Sequence, residues 1–318
     1  MYWIGIDVGG TNIAAGLVNE SMEIVDRASL KTNLPTTPER IQEDVSQLIT
    51  ELMERNHLNT SDLYSIGVGV PCTANERTGW MADADHLGFA AGPLVEPLRE
   101  RFGIPVYMGN DANAAAWGEY KISGYDGDSF LLVTLGTGVG GGIILNGKLW
   151  SGTNFAAGEF GHMVIRAGGN LCGCGRRGCF ETYGSATALI RQAKERMTAD
   201  RETALWNLCG GDMEKVEAKT VFDGAAAGDT ASLELLDRYT EDLAEGIANL
   251  VNIFQPGVVC VGGGVSAAGD ALLLPLQEKA KPMMFTGNSG GNTQLILARL
   301  GNDAGIIGAA LLGNEGGI

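Results

Sequence analysis

Four potential metal ligands lie close together near the middle of the 318-residue sequence. His162 precedes Cys172, Cys174 and Cys179, and glycines occupy several of the positions between them. One imidazole and three thiolates form a structural zinc set, in which tetrahedral coordination leaves no position open for water. A chance cluster of reduced surface cysteines is the weaker alternative, because the spacing suits the metal. The sequence therefore predicts one structural Zn²⁺ that organises a short loop.

Two carboxylates flank this loop. Glu159 lies shortly before His162, and Glu181 lies shortly after Cys179. Carboxylate oxygens accept hydrogen bonds, so a pocket built from Asp, Glu, Asn and His side chains suits the hydroxyls of a sugar. If one ring nitrogen of His162 binds zinc, the other is free to contact a ligand. We therefore expect a sugar beside the zinc loop.

The sequence contains two similar glycine-rich turns between apolar segments. The first is Asp7-Val8-Gly9-Gly10-Thr11, and the second extends from Leu135 through Thr137 and Gly138 to Gly142. Glycines let backbone N–H groups face an oxyanion, and a threonine hydroxyl adds a donor. The aspartate before the first turn is a carboxylate that could hold Mg²⁺ through water. Either turn alone is compatible with an ordinary hairpin, but two in matching positions predict that both hold one polyphosphate.

A third glycine run, Gly262-Gly263-Gly264, follows a short apolar segment. Bare backbone at this point could support an adenine ring. A turn at the start of a helix, with no ligand, accounts for the run about equally well. The sequence alone leaves both interpretations open.

Asn110-Asp111-Ala112-Asn113 opens an alanine-rich segment that predicts a helix. An Asp at a helix N-cap is common and needs no function. On local grounds the cap is therefore the favoured interpretation. The two phosphate turns and the sugar pocket add weight to a catalytic role for Asp111, as a base that activates a hydroxyl.

Apolar periodicity predicts the elements that position these residues. A helix should begin with Thr37 as its N-cap and Pro38 at its first position. The strand–glycine turn–strand unit occurs twice, which predicts an α/β protein made of two related lobes that meet near residue 116. Strands are expected at 2–8, 12–18, 24–30, 66–70, 105–108, 130–135, 142–145 and 258–261, and helices at 189–197, 233–254 and 304–312.

The composition argues against several classes of function. The net charge is −16 and no run of Lys and Arg occurs, so nucleic acid is not an expected partner. The N-terminal segment lacks a signal-like basic start, and no apolar run approaches the roughly 20 residues that span a bilayer. We expect a cytoplasmic protein without a membrane partner. Disulfides are not expected in that compartment, and Cys72, Cys209 and Cys260 are predicted to be core residues.

These motifs, in this order, resemble the bacterial ROK family of sugar kinases and related repressors, and within it the ATP-dependent glucokinases. The likeness spans nearly the whole chain. Its most specific segment is Cys172-Gly-Cys-Gly-Arg-Arg-Gly-Cys179-Phe-Glu181. The other matching segments are Asp7–Thr11, Asn110–Asn113, Leu135–Gly142, Glu159–His162, Gly262–Gly264 and Leu300–Gly305.

The resemblance implies an actin-like, ribonuclease-H-like α/β fold with a duplicated mixed-sheet core and a cleft between two lobes. The N-terminal lobe would comprise residues 1–116 plus 302–318. The C-terminal lobe, residues 117–301, would carry the second phosphate turn, the zinc loop, the adenosine site and dimer contacts. Family members are usually dimers or tetramers, so a homodimer or homotetramer is expected.

The resemblance also implies the chemistry, which is transfer of a phosphoryl group from ATP, with Mg²⁺, to the 6-hydroxyl of a hexose, glucose first. Asp111 would act as the general base. The sugar would be held by Asn110, Asp111, Glu159, His162 and Glu181. Structural Zn²⁺ would be held by His162, Cys172, Cys174 and Cys179. The nucleotide and its metal would be held by Asp7, Gly9, Gly10, Thr11, Asn12, Thr137, Gly138, Gly262, Gly263 and Gly264.

Two segments depart from the family pattern and leave the identity of the hexose open. Gly-x-Pro-Gly appears as Gly69-Val70-Pro71-Cys72, and Asn-Leu-x-Trp appears as His86-Leu87-Gly88-Phe89. Mannose, fructose, allose or an N-acetylated amino sugar is therefore an alternative to glucose. A non-catalytic sugar sensor of the same fold would lack Asp111 or a phosphate turn. An actin-like ATPase that acts on a protein would lack the zinc loop.

Overall fold

The computed structural model describes residues 1–287, 293–314 and 317–318, with the side chain of His86 outside the description. Dense backbone contacts divide the chain into two compact units. The first contains Met1–Leu132, Gly142–Gly158 and Arg299–Ile318, and the second contains Val133–Gly141 and Glu159–Ala298. Residues 117–132 and 142–158 thus group with the first unit. The division into functional lobes near residue 116 stays a prediction.

The first sheet is built from five strands of the first unit. They are β1 (Tyr2–Val8), β2 (Asn12–Val18), β3 (Ile24–Lys31), β4 (Leu63–Val70) and β8 (Val106–Asn110). Their order in the sheet is β3-β2-β1-β4-β8. β2 pairs antiparallel with β1 and β3, whereas β1, β4 and β8 run parallel. The carboxyl ends of three parallel strands therefore meet at one edge, a common location for ligands.

A second five-stranded sheet repeats this arrangement. Its strands are β9 (Phe130–Leu135), β10 (Val139–Leu145), β11 (Lys148–Leu149), β12 (Val258–Gly262) and β13 (Gln294–Leu297). The order β11-β10-β9-β12-β13 matches the first sheet strand for strand. β10 and β11 pair antiparallel, as β2 and β3 do, and β12 and β13 pair parallel, as β4 and β8 do. The predicted actin-like core with a duplicated mixed sheet is confirmed.

The predicted strand at 142–145 begins earlier, at Val139. The glycines at 140–142 belong to this strand, and at 141 and 142 neighbouring residues pack so closely on the backbone that a side chain would not fit. A Cβ at Gly141 would lie 2.1 Å from the ring of Phe160, and one at Gly142 would lie 2.4 Å from the Cβ of Ala116. Composition alone marks such a run as a turn, whereas close packing is what requires the glycines.

The helices expected from the sequence form close to their predicted positions, and five further helices of the described residues were not predicted. Thr37 caps the first helix and accepts a hydrogen bond from the N–H of Arg40 at 3.3 Å, as predicted. The helices are α1 (Pro38–Arg55), α2 (Val95–Phe102), α3 (Asp111–Ile122), α4 (Glu181–Gly184), α5 (Ala186–Ala199), α6 (Leu205–Leu208), α7 (Ala218–Ala226), α8 (Thr230–Phe254), α9 (Asp270–Ala280) and α10 (Ala304–Ala310). In the described ranges, none of them has both the length and the apolar surface to cross a bilayer. A small third sheet contains β5 (Thr73–Asn75), β6 (Trp80–Ala82) and β7 (Ala91–Pro93).

In the first unit, α10 packs on the bare backbone of its neighbours. A Cβ at Gly5 of β1 would lie 1.9 Å from the carbonyl oxygen of Ile306, and one at Gly67 of β4 would lie 1.7 Å from that of Ala309. A Cβ at Gly308 of α10 would lie 1.7 Å from the carbonyl oxygen of Ala114 in α3. No side chain fits at these points, so glycine permits the close approach. Backbone contact therefore sets the position of α10 on β1, β4 and α3.

Candidate active site

Two carboxylates lie at the carboxyl ends of parallel strands in the first unit. Asp7 is the second-last residue of β1, and Asp111 directly follows β8 as the first residue of α3. Along the sheet, Asp7 pairs with Gly69 of β4, which in turn pairs with Gly109 of β8. The negative charge of Asp111 is close enough to act on Asp7. The structure therefore brings the predicted base and the predicted metal-associated carboxylate together.

Burial and, secondarily, the charge of Asp111 raise the pKa of Asp7 to about 6. A divalent cation beside both groups would favour their ionised forms. Carboxylate oxygens are the donors that Mg²⁺ accepts, and it usually keeps several of its waters. The residues present therefore fit Mg²⁺ held through water.

Asn110, rather than Asp111, caps α3. Its Oδ1 atom accepts hydrogen bonds from the N–H groups of Ala112 at 3.0 Å and Asn113 at 3.2 Å. Its Nδ2 group donates to the carbonyl oxygen of Cys72 at 3.4 Å. Asp111 lies in the first turn, where its Oδ1 atom also accepts from the N–H of Ala112 at 2.7 Å. The interpretation of Asp111 as an ordinary N-cap is wrong, because the preceding residue performs that role.

The first glycine turn is held in shape by the residue that follows β3. Thr32 donates its hydroxyl to the carbonyl oxygen of Gly9 at 2.6 Å and its N–H to that of Thr11 at 2.8 Å. The N–H of Gly9 donates to the carbonyl oxygen of Asn12 at 2.9 Å, so it is used within the turn. Gly10, Thr11 and Asn12 are exposed. The sequence pattern did not indicate Thr32, because it lies 23 residues from Gly9 along the chain.

The second glycine turn lies directly over Glu181 in the second unit. The Oε2 atom of Glu181 accepts a hydrogen bond from the N–H of Val139 at 3.2 Å. A Cβ at Gly138 would lie 2.3 Å from this same oxygen, so glycine is required for the close approach. Thr137 and Glu181 line one cavity of about 350 Å³. A predicted phosphate contact and a predicted sugar contact therefore share one cavity.

The four predicted zinc ligands converge in the second unit. Their donor atoms all lie within 4.8 Å of one another. The Sγ of Cys172 lies 3.7 Å from Nδ1 of His162, and the Sγ atoms of Cys174 and Cys179 are 3.7 Å apart. Tetrahedral Zn–S bonds of about 2.3 Å place two sulfurs about 3.8 Å apart. Spacing and donor chemistry both fit a structural zinc ion.

Both neighbouring carboxylates lie close to a predicted zinc ligand. The Oε1 atom of Glu181 lies 3.7 Å from the Sγ of Cys172. The Oε2 atom of Glu159 lies 3.9 Å from Nε2 of His162, the ring nitrogen that does not face the cysteines. Metal ligands are commonly oriented by such outer contacts. The structure therefore places Glu159, His162 and Glu181 around one cluster.

The third glycine run borders a cavity of about 420 Å³ in the second unit. Gly262 ends β12, and Gly263 has a φ of +80°, where a Cβ would lie 2.5 Å from the carbonyl oxygen of Leu135. Gly264 is open to the cavity, whose opposite wall includes Lys219, Phe222 and Asp223 of α7. The size and the apolar wall suit a purine ring. Sequence reasoning missed the α7 wall, because no motif marks it.

The first departure from the family pattern lies beside the predicted base. Cys72 is buried, its carbonyl oxygen holds Asn110, and its thiol is close enough to respond to the charge of Asp111. Burial raises the pKa of this thiol to about 12, so it stays protonated. In the second departure, Leu87 is buried and Phe89 packs on the core of the first unit, while the side chain of His86 lies outside the described residues.

The comparisons with known proteins agree on one family. The ROK family model matches residues 3–315. The chain is 39% identical to a glucokinase of Halalkalibacterium halodurans over 316 residues, which are 98% of this chain and 94% of the relative. It is 32% identical to an N-acetylmannosamine kinase of Escherichia coli, with 98% of each chain covered. A ROK family glucokinase from Streptomyces griseus, solved with glucose and AMPPNP, has a TM-score of 0.83 and 36% identity over 98% of this chain and 99% of that one. This protein belongs to the ROK family.

Proposed function

We propose that this protein is an ATP-dependent hexose kinase that phosphorylates the 6-hydroxyl of glucose. The observation that carries the proposal is the pair of carboxylates at the ends of β1 and β8. Asp111 is relieved of the capping role by Asn110, and its charge acts on the buried Asp7 beside the first glycine turn. A base next to a metal-associated carboxylate is the arrangement that phosphoryl transfer requires.

In the proposed mechanism Asp111 accepts the proton of the sugar hydroxyl as the hydroxyl oxygen attacks the γ-phosphorus of ATP. The bond between that phosphorus and the β,γ-bridging oxygen breaks, and ADP leaves with this oxygen. A general base of this kind contributes about 10²- to 10⁴-fold to the rate. Thr11 and Thr137 donate hydroxyl hydrogen bonds to phosphate oxygens, and exposed backbone amides of the glycine turns add to them. Mg²⁺, when bound beside Asp7, would neutralise charge on the β- and γ-phosphates.

The sugar is proposed to be held by Asn110, Glu159, His162 and Glu181. The carboxylates would accept hydrogen bonds from ring hydroxyls, and the Nδ2 group of Asn110 would donate one. Glucose is the first candidate because relatives at 38 and 39% identity are named glucokinases. The relatives named N-acetylmannosamine kinases, at 32% identity, make an N-acetylated amino sugar the leading alternative. Mannose, fructose and allose are further alternative substrates of the same phosphoryl transfer.

We propose one structural Zn²⁺ per chain, held by His162, Cys172, Cys174 and Cys179. It would orient Glu159 and Glu181 through the two contacts described above, without an open position for chemistry. None of the six cysteines forms a disulfide, which suits a reducing compartment such as the cytoplasm. A homodimer or homotetramer is the proposed assembly, and light scattering on the purified protein would measure it.

A coupled assay of ADP release over a panel of hexoses tests the proposed function. The expected result is rapid ADP release with glucose and a weaker or absent response to N-acetylmannosamine, mannose, fructose and allose. Hexose-independent ADP release would instead favour an ATPase. Tight glucose binding without ADP release would favour a sugar sensor. Either outcome would overturn the proposal.

A further inference from the structure

Glu119 is a buried carboxylate on α3, two turns beyond Asp111. The residue is 2% exposed. Its Oε1 atom accepts hydrogen bonds from the N–H groups of Arg299 at 3.1 Å and Leu300 at 2.8 Å, and its Oε2 atom accepts from Arg299 at 3.0 Å. Hydrogen bonds to an ionised acceptor are among the stronger ones in proteins. Glu119 thus binds two consecutive backbone amides of a segment distant in sequence.

These amides belong to residues 299–303, here named the return segment, which leads into α10. A second tie holds its other end, where Asp303 pairs with both terminal nitrogens of Arg27 at 2.6 and 2.7 Å. That pair is partly exposed to solvent, and such pairs contribute little to stability. The tie to Glu119 is buried, so it is the stronger constraint on the return segment.

The start of α10 lies against both α3 and Asp7. A Cβ at Gly118 would lie 2.9 Å from the carbonyl oxygen of Ala304, the first residue of α10. A Cβ at Gly305 would lie 2.8 Å from Oδ2 of Asp7. Gly305 therefore forms part of the surface on which the carboxylate of Asp7 rests. A shift of the return segment would move that surface, because α10 begins directly after it.

We propose that Glu119 is a positioning residue for Asp7. By holding the return segment on α3, it sets the start of α10 and hence the place of the Asp7 carboxylate. One helix would then place both acidic groups of the site, Asp111 at its first residue and Asp7 through Glu119 and α10. The inference rests on the proposed function only in the role given to Asp7, which is to bind the nucleotide with its metal.

Glu119→Gln tests the inference conservatively. The amide keeps one oxygen for the N–H groups of Arg299 and Leu300, but its NH₂ group takes the place of Oε2 and faces the N–H of Arg299. We expect the affinity for AMPPNP with Mg²⁺, measured by calorimetry without sugar, to fall about tenfold, as the loss of one charge-assisted hydrogen bond implies. The KM for MgATP should rise by the same factor, and the KM for glucose should stay within about twofold, since Asp111 and its Asn110 cap are not moved.

Asp229→Asn is the matched control. Asp229 caps α8 in the second unit and accepts hydrogen bonds from the N–H groups of Ala204 at 3.0 Å and Ser232 at 2.9 Å. Its loss should lower the melting temperature without changing nucleotide affinity. Gly305→Ala is an independent probe, because it leaves Glu119 intact and places a methyl group against Asp7. It should weaken AMPPNP binding as Glu119→Gln does.

If Glu119→Gln lowers only the melting temperature, with nucleotide affinity within about twofold of the parent, the inference is overturned. Unchanged nucleotide affinity in Gly305→Ala would overturn it too, because the start of α10 would then not set the place of Asp7. Failure of the proposed function would look different. In that case the parent protein would release no ADP with any hexose, while AMPPNP binding would still report on Glu119.

Discussion

At the scale of single residues, the site depends on the different roles of two consecutive residues, Asn110 and Asp111. Asn110 satisfies the N–H groups of Ala112 and Asn113, and Asp111 lies in the next position. A sequence containing Asn-Asp at a helix start does not reveal which of the two caps, since both residue types are preferred there. Backbone geometry decides it. Asp111 is thereby placed near Asp7, and its negative charge makes the carboxyl group of Asp7 harder to ionise.

The raised pKa of Asp7 predicts a dependence of stability on pH. The folded value, about 6, lies above the ordinary carboxyl value of 3.8, so the folded state holds more protons between these values. The contribution of Asp7 to the free energy of unfolding is therefore fully present below about pH 4. It falls by about 3 kcal/mol as the pH rises through about 6. Asp7→Asn removes that loss.

Thermal melts at pH 4.5 and pH 8, without nucleotide or Mg²⁺, measure the effect. We expect Asp7→Asn to melt higher than the parent at pH 8, with a smaller difference at pH 4.5. Equal melting temperatures of the two proteins at pH 8 would contradict the assigned environment of Asp7. The variant should also bind AMPPNP with Mg²⁺ more weakly, because the carboxylate proposed to hold the metal is gone.

At the scale of elements, the predicted zinc loop joins Glu159 and Glu181, the proposed sugar contacts, to the rest of the second unit. The glycines at 175 and 178 have positive φ values of 85° and 87°, which let the chain reverse around the ligands. At the base of the loop, Arg166 pairs with the buried Asp242 of α8 and lies over the ring of Tyr183, 5.0 Å from its centroid. Tyr183 in turn accepts a hydrogen bond from the N–H of Asn170 at 2.8 Å.

Removal of zinc should therefore affect the sugar more than the nucleotide. We expect chelation to weaken glucose binding about 10- to 100-fold, as loss of metal-linked contacts does elsewhere. Hydrogen exchange should accelerate in residues 162–181 and stay slow in the buried part of α8. The AMPPNP affinity should change little. Unchanged glucose affinity in protein shown by elemental analysis to be free of zinc would contradict the proposed role of the metal.

The zinc loop was predictable because one histidine and three cysteines within a short segment rarely occur together without a metal to bind. The contacts that tie it to its surroundings were not predictable. The hydrogen bond between Val139 and Glu181 joins two residues that are 42 positions apart in the sequence. Glu119 and the return segment are about 180 residues apart. Such pairings depend on how strands and helices pack, which periodicity along one chain does not encode.

At the scale of the whole molecule, duplication is the main organising feature. The strand–turn–strand pattern in the sequence predicted a repeat, and the two sheets share one strand order. The predicted elements form with ends displaced by a few residues, whereas five of the helices, the small third sheet and strands β11 and β13 were not predicted. The compact units were less predictable, since residues 142–158 return to the first unit after the chain has begun the second. The glycines at 140–142 led to the prediction of a turn where β10 has already begun. Close packing can require glycine within a strand as well as in a turn.

The turnover and glucose affinity of Asp111→Asn test whether Asp111 is the general base. The substitution preserves shape and the possibility of a hydrogen bond to the N–H of Ala112, but it removes the base. We predict that kcat with glucose and MgATP falls about 10²- to 10⁴-fold, while the glucose Kd measured by calorimetry stays within about threefold of the parent. An enzyme that lacks the Asp111 carboxylate and keeps full turnover would contradict the proposal that this residue activates the sugar hydroxyl.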